Sequence, residues 1–168
     1  MTAQLTVVKP ETPEHKIVLG LHNITFAEYF DFSRAFMSND LDTAYRLAQK
    51  FIASWSYPVS LEQPDALGEL SMEDSSKVLY TIRTSTEGLL EDISTEGVII
   101  DLSVWNTKRF LELNRLRAEG KVQEYEPMLH EIAAMEGTAV GTPLSLFQGF
   151  AILKAVNDKY AKLLTGKN

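Results

Sequence analysis

The chain has 168 residues, 45% of them apolar and 23% charged, with no cysteine and a formal net charge of −7. This fits a single globular domain over 1–168 and excludes a disordered or collagenous chain. The missing thiols exclude a disulfide scaffold, an all-cysteine zinc site, a thiolate-held iron–sulfur cluster and a thiol nucleophile, and the excess of acid disfavours a phosphate footprint for nucleic acid.

In chain order, Leu5–Val8 and Ile17–Leu21 are short β-rich runs separated by Pro10 and Pro13. They read as a loose hairpin or, alternatively, as a tail that orders only after His15. Thr25 with Glu28 forms a capping box, and Phe26, Tyr29, Phe30, Ser33 and Met37 follow at helical spacing. After Ser38-Asn-Asp40 a second helix is expected from Leu41 to Trp55, with Ala44 and Ala48 allowing its neighbour to approach closely. Tyr57–Pro58 stops it. Ser60-Leu-Glu-Gln63 predicts a short helix to Leu70, and Ser71 starts another that runs towards Ile93, weakened at Thr84–Gly88.

Val98–Leu102 is the best strand after these, placed to join the N-terminal strands. A helix from about Thr107 to Gly120 carries Phe110, Leu111, Leu113 and Leu116. The next covers Val122–Met135, with Pro127 moving its true start to about Tyr125. Thr142–Pro143 predicts a cap and first helical position for the last helix, Leu144–Leu164. The expected fold is therefore mainly α, about seven helices with a small β element.

Two stretches echo each other. Phe30, Arg34, Leu41, Ala48 and Phe51 correspond, at one constant offset, to Leu111, Arg115, Val122, Leu129 and Ile132. Downstream, Pro58-Val-Ser-Leu61 matches Pro143-Leu-Ser-Leu146 at a slightly larger offset, as after an insertion in a connector. The echo predicts duplicated helical modules at 24–96 and 104–166, or else the shared pattern of any two helical hairpins.

Charge is unevenly spread. Residues 1–100 carry 7 basic and 15 acidic side chains, while residues 101–168 carry 9 and 8. The opening segment lacks a basic stretch followed by a long apolar run, so no signal peptide is expected. No apolar run approaches the roughly 20 residues of a membrane span. The expected setting is cytoplasmic, without membrane contact.

Catalytic patterns are missing. His15, His22 and His130 have no ligand spacing, and no phosphate loop, dinucleotide fingerprint or nucleophile elbow occurs. No enzyme activity, cofactor or metal is expected. The basic group Lys108, Arg109, Arg115, Arg117 and Lys121 is interleaved with Glu112 and Glu119, as on a solvated face or a cradle for an acidic protein surface. The candidate protein-binding residues are Trp55, Tyr57 and Pro58, a compact aromatic element at one helix end, and Trp105, opening the second half. Each serves either as a plug between helices or as a binding anchor.

Phe51-Ile-Ala-Ser-Trp55-Ser-Tyr-Pro58, then Ser60-Leu-Glu62, Ala66-Leu67, Leu70, Asp74 and Val78-Leu79, resembles the tail assembly chaperones of long-tailed phages across residues 30–82. The resemblance implies a mostly helical, non-enzymatic protein that binds the tape-measure protein and shields its apolar segments. The β-rich N-terminus and the second module lie outside that pattern. The expected function is thus a protein-binding assembly factor. The alternatives are a structural virion protein of a capsid or tail, or an acidic intracellular inhibitor or adaptor. Homo-oligomerisation is open in each case.

Overall fold

The structure, a computed structural model, describes residues 5–8 (backbone) and 15–166. The expected loop at Pro10 and Pro13 lies outside the described residues. The protein is mainly α with a small β element: six α-helices and two small antiparallel sheets among the described residues. The chain divides into two compact units, Met1–Asp92 and Ile93–Asn168.

In the first unit, β1 (Leu5–Val8), β2 (Ile17–Gly20) and β3 (Ile52–Trp55) form an antiparallel sheet in the order β1-β2-β3. The hairpin reading of the N-terminal runs is the one observed, with Leu5 opposite Gly20 and Val8 opposite Ile17. Helix α1 (Phe26–Met37) carries the predicted capping box, the Thr25 hydroxyl accepting from Glu28 N–H and the Glu28 carboxylate from Thr25 N–H. Helix α2 (Leu41–Lys50) packs closely against α1 through Ala44 and Ala48, both fully buried. Of the expected stripe, Phe26 is buried and Met37 exposed; Phe32 and Ala35 are buried as well.

Three expectations for this unit are corrected. The second helix stops at Lys50, and the chain passes directly into β3, because Ile52–Trp55 finds backbone partners along β2. The helix expected from Ser60 is a loop with one 3₁₀ turn at Leu67–Glu69. Gln49 holds that loop from the side, donating to the carbonyls of Leu61 and Gln63 and accepting from Ala66 N–H. Helix α3 (Met72–Glu91) runs through Thr84–Gly88 unbroken, because Ile82, Thr86 and Leu90 are buried along one face, and tertiary packing outweighs weak local propensity.

In the second unit, β4 (Val98–Ile100) pairs with β5 (Ala133–Met135) and not with the N-terminal strands. Helix α4 (Thr107–Ala118) is capped by Asn106. Helix α5 spans Val122–Ile132, starting earlier than Pro127 suggests and ending before Met135. The proline is tolerated because its ring is exposed and the carbonyl left without a donor belongs to exposed Gln123. Helix α6 (Leu146–Thr165) is capped by Ser145 and Gln148 rather than by Thr142. Buried Glu126 and Gln148 hold the preceding loop, accepting from Leu144 and Gly141 N–H respectively.

Both units follow one plan: strand, 3₁₀ turn, helix, helix, strand, long helix. The match extends to single backbone bonds. Gly20 N–H donates to Phe51 O at 2.8 Å, and Asp101 N–H to Ile132 O at 2.9 Å. Asp40 N–H donates to Ala35 O, and Lys121 N–H to Leu116 O, both at 2.9 Å. The turns between these helices place Asn39 (φ 60) and Gly120 (φ 70) in the left-handed region, which Asn and Gly tolerate best. The repeated plan begins at β2 and β4, upstream of residues 24 and 104. Beyond the second strand the enlarged sequence offset is not the structural one. Ser71 and Ser145, the caps of α3 and α6, correspond at a shorter spacing than Phe51 and Ile132 do. The connection before α3 is longer than that before α6, which shortens the offset.

The core of the second unit centres on Tyr125, Leu113 and Leu129. Burial pushes the Tyr125 phenol up to about 12. The core therefore accepts the neutral phenol, whose contribution is complete below the unfolded value of about 10 and is lost as pH rises through about 12. Denaturant titrations of the second unit, read through Trp105, should show across this window a loss of up to about 2–3 kcal/mol that Tyr125→Phe removes. An identical alkaline limb in the variant would refute it.

Candidate protein-binding groove

The 3₁₀ turn Leu102–Val104 is held by Asp101, whose carboxylate accepts from both the backbone N–H and the hydroxyl of Ser103. Those bonds keep the Asp101 carboxyl below its ordinary range. The turn delivers Trp105 to the start of α4, where Asn106 accepts from Arg109 N–H at 2.9 Å. Trp105 is half-buried, with the Arg109 guanidinium 6.0 Å from its ring centre. Its indole N–H is buried without a hydrogen-bond partner.

Beside Trp105, α4 and the C-terminal half of α6 form an apolar groove of about 240 Å³, lined by Leu102, Trp105, Phe110, Leu111, Tyr160 and Leu163. The Phe110 and Tyr160 rings touch across its floor, 4.5 Å between centres. Leu111, Leu163 and neighbouring Leu164 are 59%, 52% and 70% exposed. Large apolar side chains are therefore held in water by two packed helices, as at a recognition surface. At the corresponding positions of the first unit, Ile24 (for Trp105), Thr86 (for Tyr160) and Leu90 (for Leu164) are buried. The opening of this surface thus belongs to the second unit, not to the plan both share.

The other sequence candidates lie in the first unit. Trp55 ends a strand, not a helix, and its indole N–H donates to Val59 O at 2.7 Å. Tyr57 is buried, stacked on His15 at 4.1 Å and edge-on to Trp55 at 5.3 Å. Pro58 is exposed beside them. Trp55 and Tyr57 pack on one another, whereas Trp105 lines the groove. Sequence reasoning misses Leu111, Tyr160, Leu163 and Leu164 as binding residues, although they leave a signal. In α4, Leu113 and Leu116 already make the buried stripe, so Phe110 and Leu111 are surplus to it.

The basic group on α4 is largely paired. Arg109 bridges Glu112 and Glu131, while Arg115 and Lys121 share Glu119. Arg117 donates to Asn157, and burial lowers its pKa. Among the described residues no three His, Cys, Asp or Glu side chains are grouped to hold a metal, and no helix is long and apolar enough to cross a membrane. Comparison with protein-family models, curated proteins and solved structures gives no match.

Proposed function

We propose that the protein acts by binding, as a non-enzymatic assembly factor whose second unit receives an amphipathic helix of a protein partner. The observation that carries this reading is the open apolar groove between α4 and α6, with Leu111 and Leu163 more than half exposed on its rim. Helix-in-groove recognition uses such a surface: anchors at i, i+3, i+4 and i+7 of the partner fill it, and rigid aromatics such as Trp105 and Tyr160 supply contact at modest entropic cost.

Within this class, the resemblance over residues 30–82 makes the proposed role that of a tail assembly chaperone in the host cytoplasm, with a tape-measure protein as the helical partner. The acidic first unit suits that role, because net negative charge keeps a loaded complex soluble. Coexpression with the tape-measure protein encoded beside it tests the proposal. The expected result is co-purification and increased solubility of the partner. Unchanged solubility with no co-purification would reject it, and stable incorporation into finished particles would select the structural virion protein instead.

A further inference from the structure

We propose that Asp101 is the positioning residue of the α4/α6 groove: its carboxylate fixes the Leu102–Trp105 wall at the surface, replacing the burial that fixes the equivalent turn of the first unit. Gly20 and Asp101 hold the same place in the two repeats. Each donates its N–H to the end of a helix, to Phe51 O and Ile132 O, and each precedes a 3₁₀ turn. One backbone bond closes each turn, Ile24 N–H to Leu21 O and Trp105 N–H to Leu102 O. Their backbones are close, φ −108° and ψ 69° at Gly20 against φ −111° and ψ 95° at Asp101. What holds the two turns differs. In the first unit no side chain caps the turn, and a Cβ added at Gly20 would stand 3.1 Å from that of Ala53. Leu21 and Ile24 are instead sunk in the core, 0% and 1% exposed. In the second unit no residue of the turn is buried. Leu102 and Trp105 are half-buried and line the groove, and Val104 is exposed.

A turn with neither buried anchors nor a cap is poorly fixed, because a single short-range bond does not offset the entropy of ordering its backbone. Asp101 supplies the constraint. One carboxylate oxygen accepts from the Ser103 N–H at 3.0 Å and from the Ser103 hydroxyl. The Lys159 ammonium on α6 attracts the same carboxylate. Asp101 thus ties the turn to the α5/β5 junction through its own N–H, to Ser103 through its side chain, and by charge to α6, the other wall of the groove. Leu102 and Trp105 then meet a partner already in place, which lowers the ordering cost of binding. Burial would fix the turn as well, but it would take these side chains out of a partner's reach, as it does Leu21 and Ile24. The inference rests on the groove reading for what the wall serves; the position of Trp105 is measured without a partner.

The test uses the full chain with Trp55→Phe, which leaves Trp105 as its one tryptophan. Asp101→Ala should speed hydrogen exchange at the Ser103 amide about fivefold or more, the scale of a lost cap. It should also raise acrylamide quenching of Trp105, while exchange at Leu129 in the core of α5 stays parental. Asp101→Asn keeps an acceptor and should restore both readouts. Affinity for the coexpressed tape-measure protein should fall about fivefold or more in Asp101→Ala and stay near the parent in Asp101→Asn. Parental exchange and quenching in Asp101→Ala would overturn the proposal. So would failure of Asp101→Asn to restore them, or a loosened turn with undiminished affinity. Loss of protection at Leu129 would overturn it too, since a positioning residue acts on the turn and not on the whole unit. If no helical partner binds the parent chain, the proposed function fails, and exchange and quenching still decide the role of Asp101.

Discussion

Phe51→Ala should destabilise the first unit by about 3–5 kcal/mol, the range for truncating a large buried aromatic. Phe51 is fully buried, 5.0 Å from the Phe32 ring, at the junction where α2 becomes β3. Its N–H donates to Ala48 O while its carbonyl accepts from Gly20 N–H, so one residue closes the helix and opens the sheet. Truncation leaves a cavity between α1 and that junction, where neither element can shift without breaking backbone bonds. Ile132 has the equivalent place between α5 and β5, and its carbonyl accepts from Asp101 N–H. Ile132→Ala should cost the second unit about 2–5 kcal/mol. Urea denaturation followed through Trp55 in a Trp105→Phe background, and through Trp105 in a Trp55→Phe background, reads the two units separately. A loss under about 1 kcal/mol at either position, the level of an ordinary surface change, would contradict the junction role.

The second large effect concerns the groove. Leu111→Asp with Leu163→Asp should reduce partner affinity by about 100-fold or more, since central anchors are each worth about 2 kcal/mol or more on truncation. Both side chains are more than half exposed, so the folded state loses little contact. Changes at such positions usually stay within about 0.5 kcal/mol of the parent stability. Calorimetric titration of the purified partner gives the affinity, and thermal unfolding gives the stability. A double variant that binds as well as the parent would remove the α4/α6 surface from the proposal. If Trp105 anchors the partner, Trp105→Ala should reproduce much of the loss in a chain that still folds. Trp55→Ala should act through stability, because Trp55 is tied to Val59 and packed on Tyr57.

Local chemistry made much of this fold legible. Thr25 with Glu28, Ser71 and the Gly120 turn mark real helix ends, because a side-chain acceptor or a left-handed residue acts within one turn of chain. Helix-to-strand junctions were not legible. Phe51, Ile52 and Trp55 continue the apolar spacing of α2, and neither glycine nor proline interrupts it; only the backbone of β2 turns that segment into a strand. Gln148, following Ser145 at capping-box spacing, was the stronger cap signal at α6, but Thr142–Pro143 carried a familiar signature nearby. The candidate site was legible in one residue, Trp105. Its companions on α4 and α6 are separated along the chain by the whole of α5 and β5, too far for periodicity to bring them together.

By itself the sequence determined the mainly α composition and the helix starts at Thr25, Asp40 and Ser71, and it raised a repeat of one half in the other as one of two readings. These follow from interactions among neighbours along the chain, or from comparing the chain with itself. Tertiary structure alone decided that both second helices end in strands and that β4 pairs with β5. It also decided that Tyr57 is buried while Leu111 and Leu163 are open. Backbone pairing and burial depend on what stands opposite a residue in space, and there an apolar side chain that completes a core and one that awaits a partner are chemically the same.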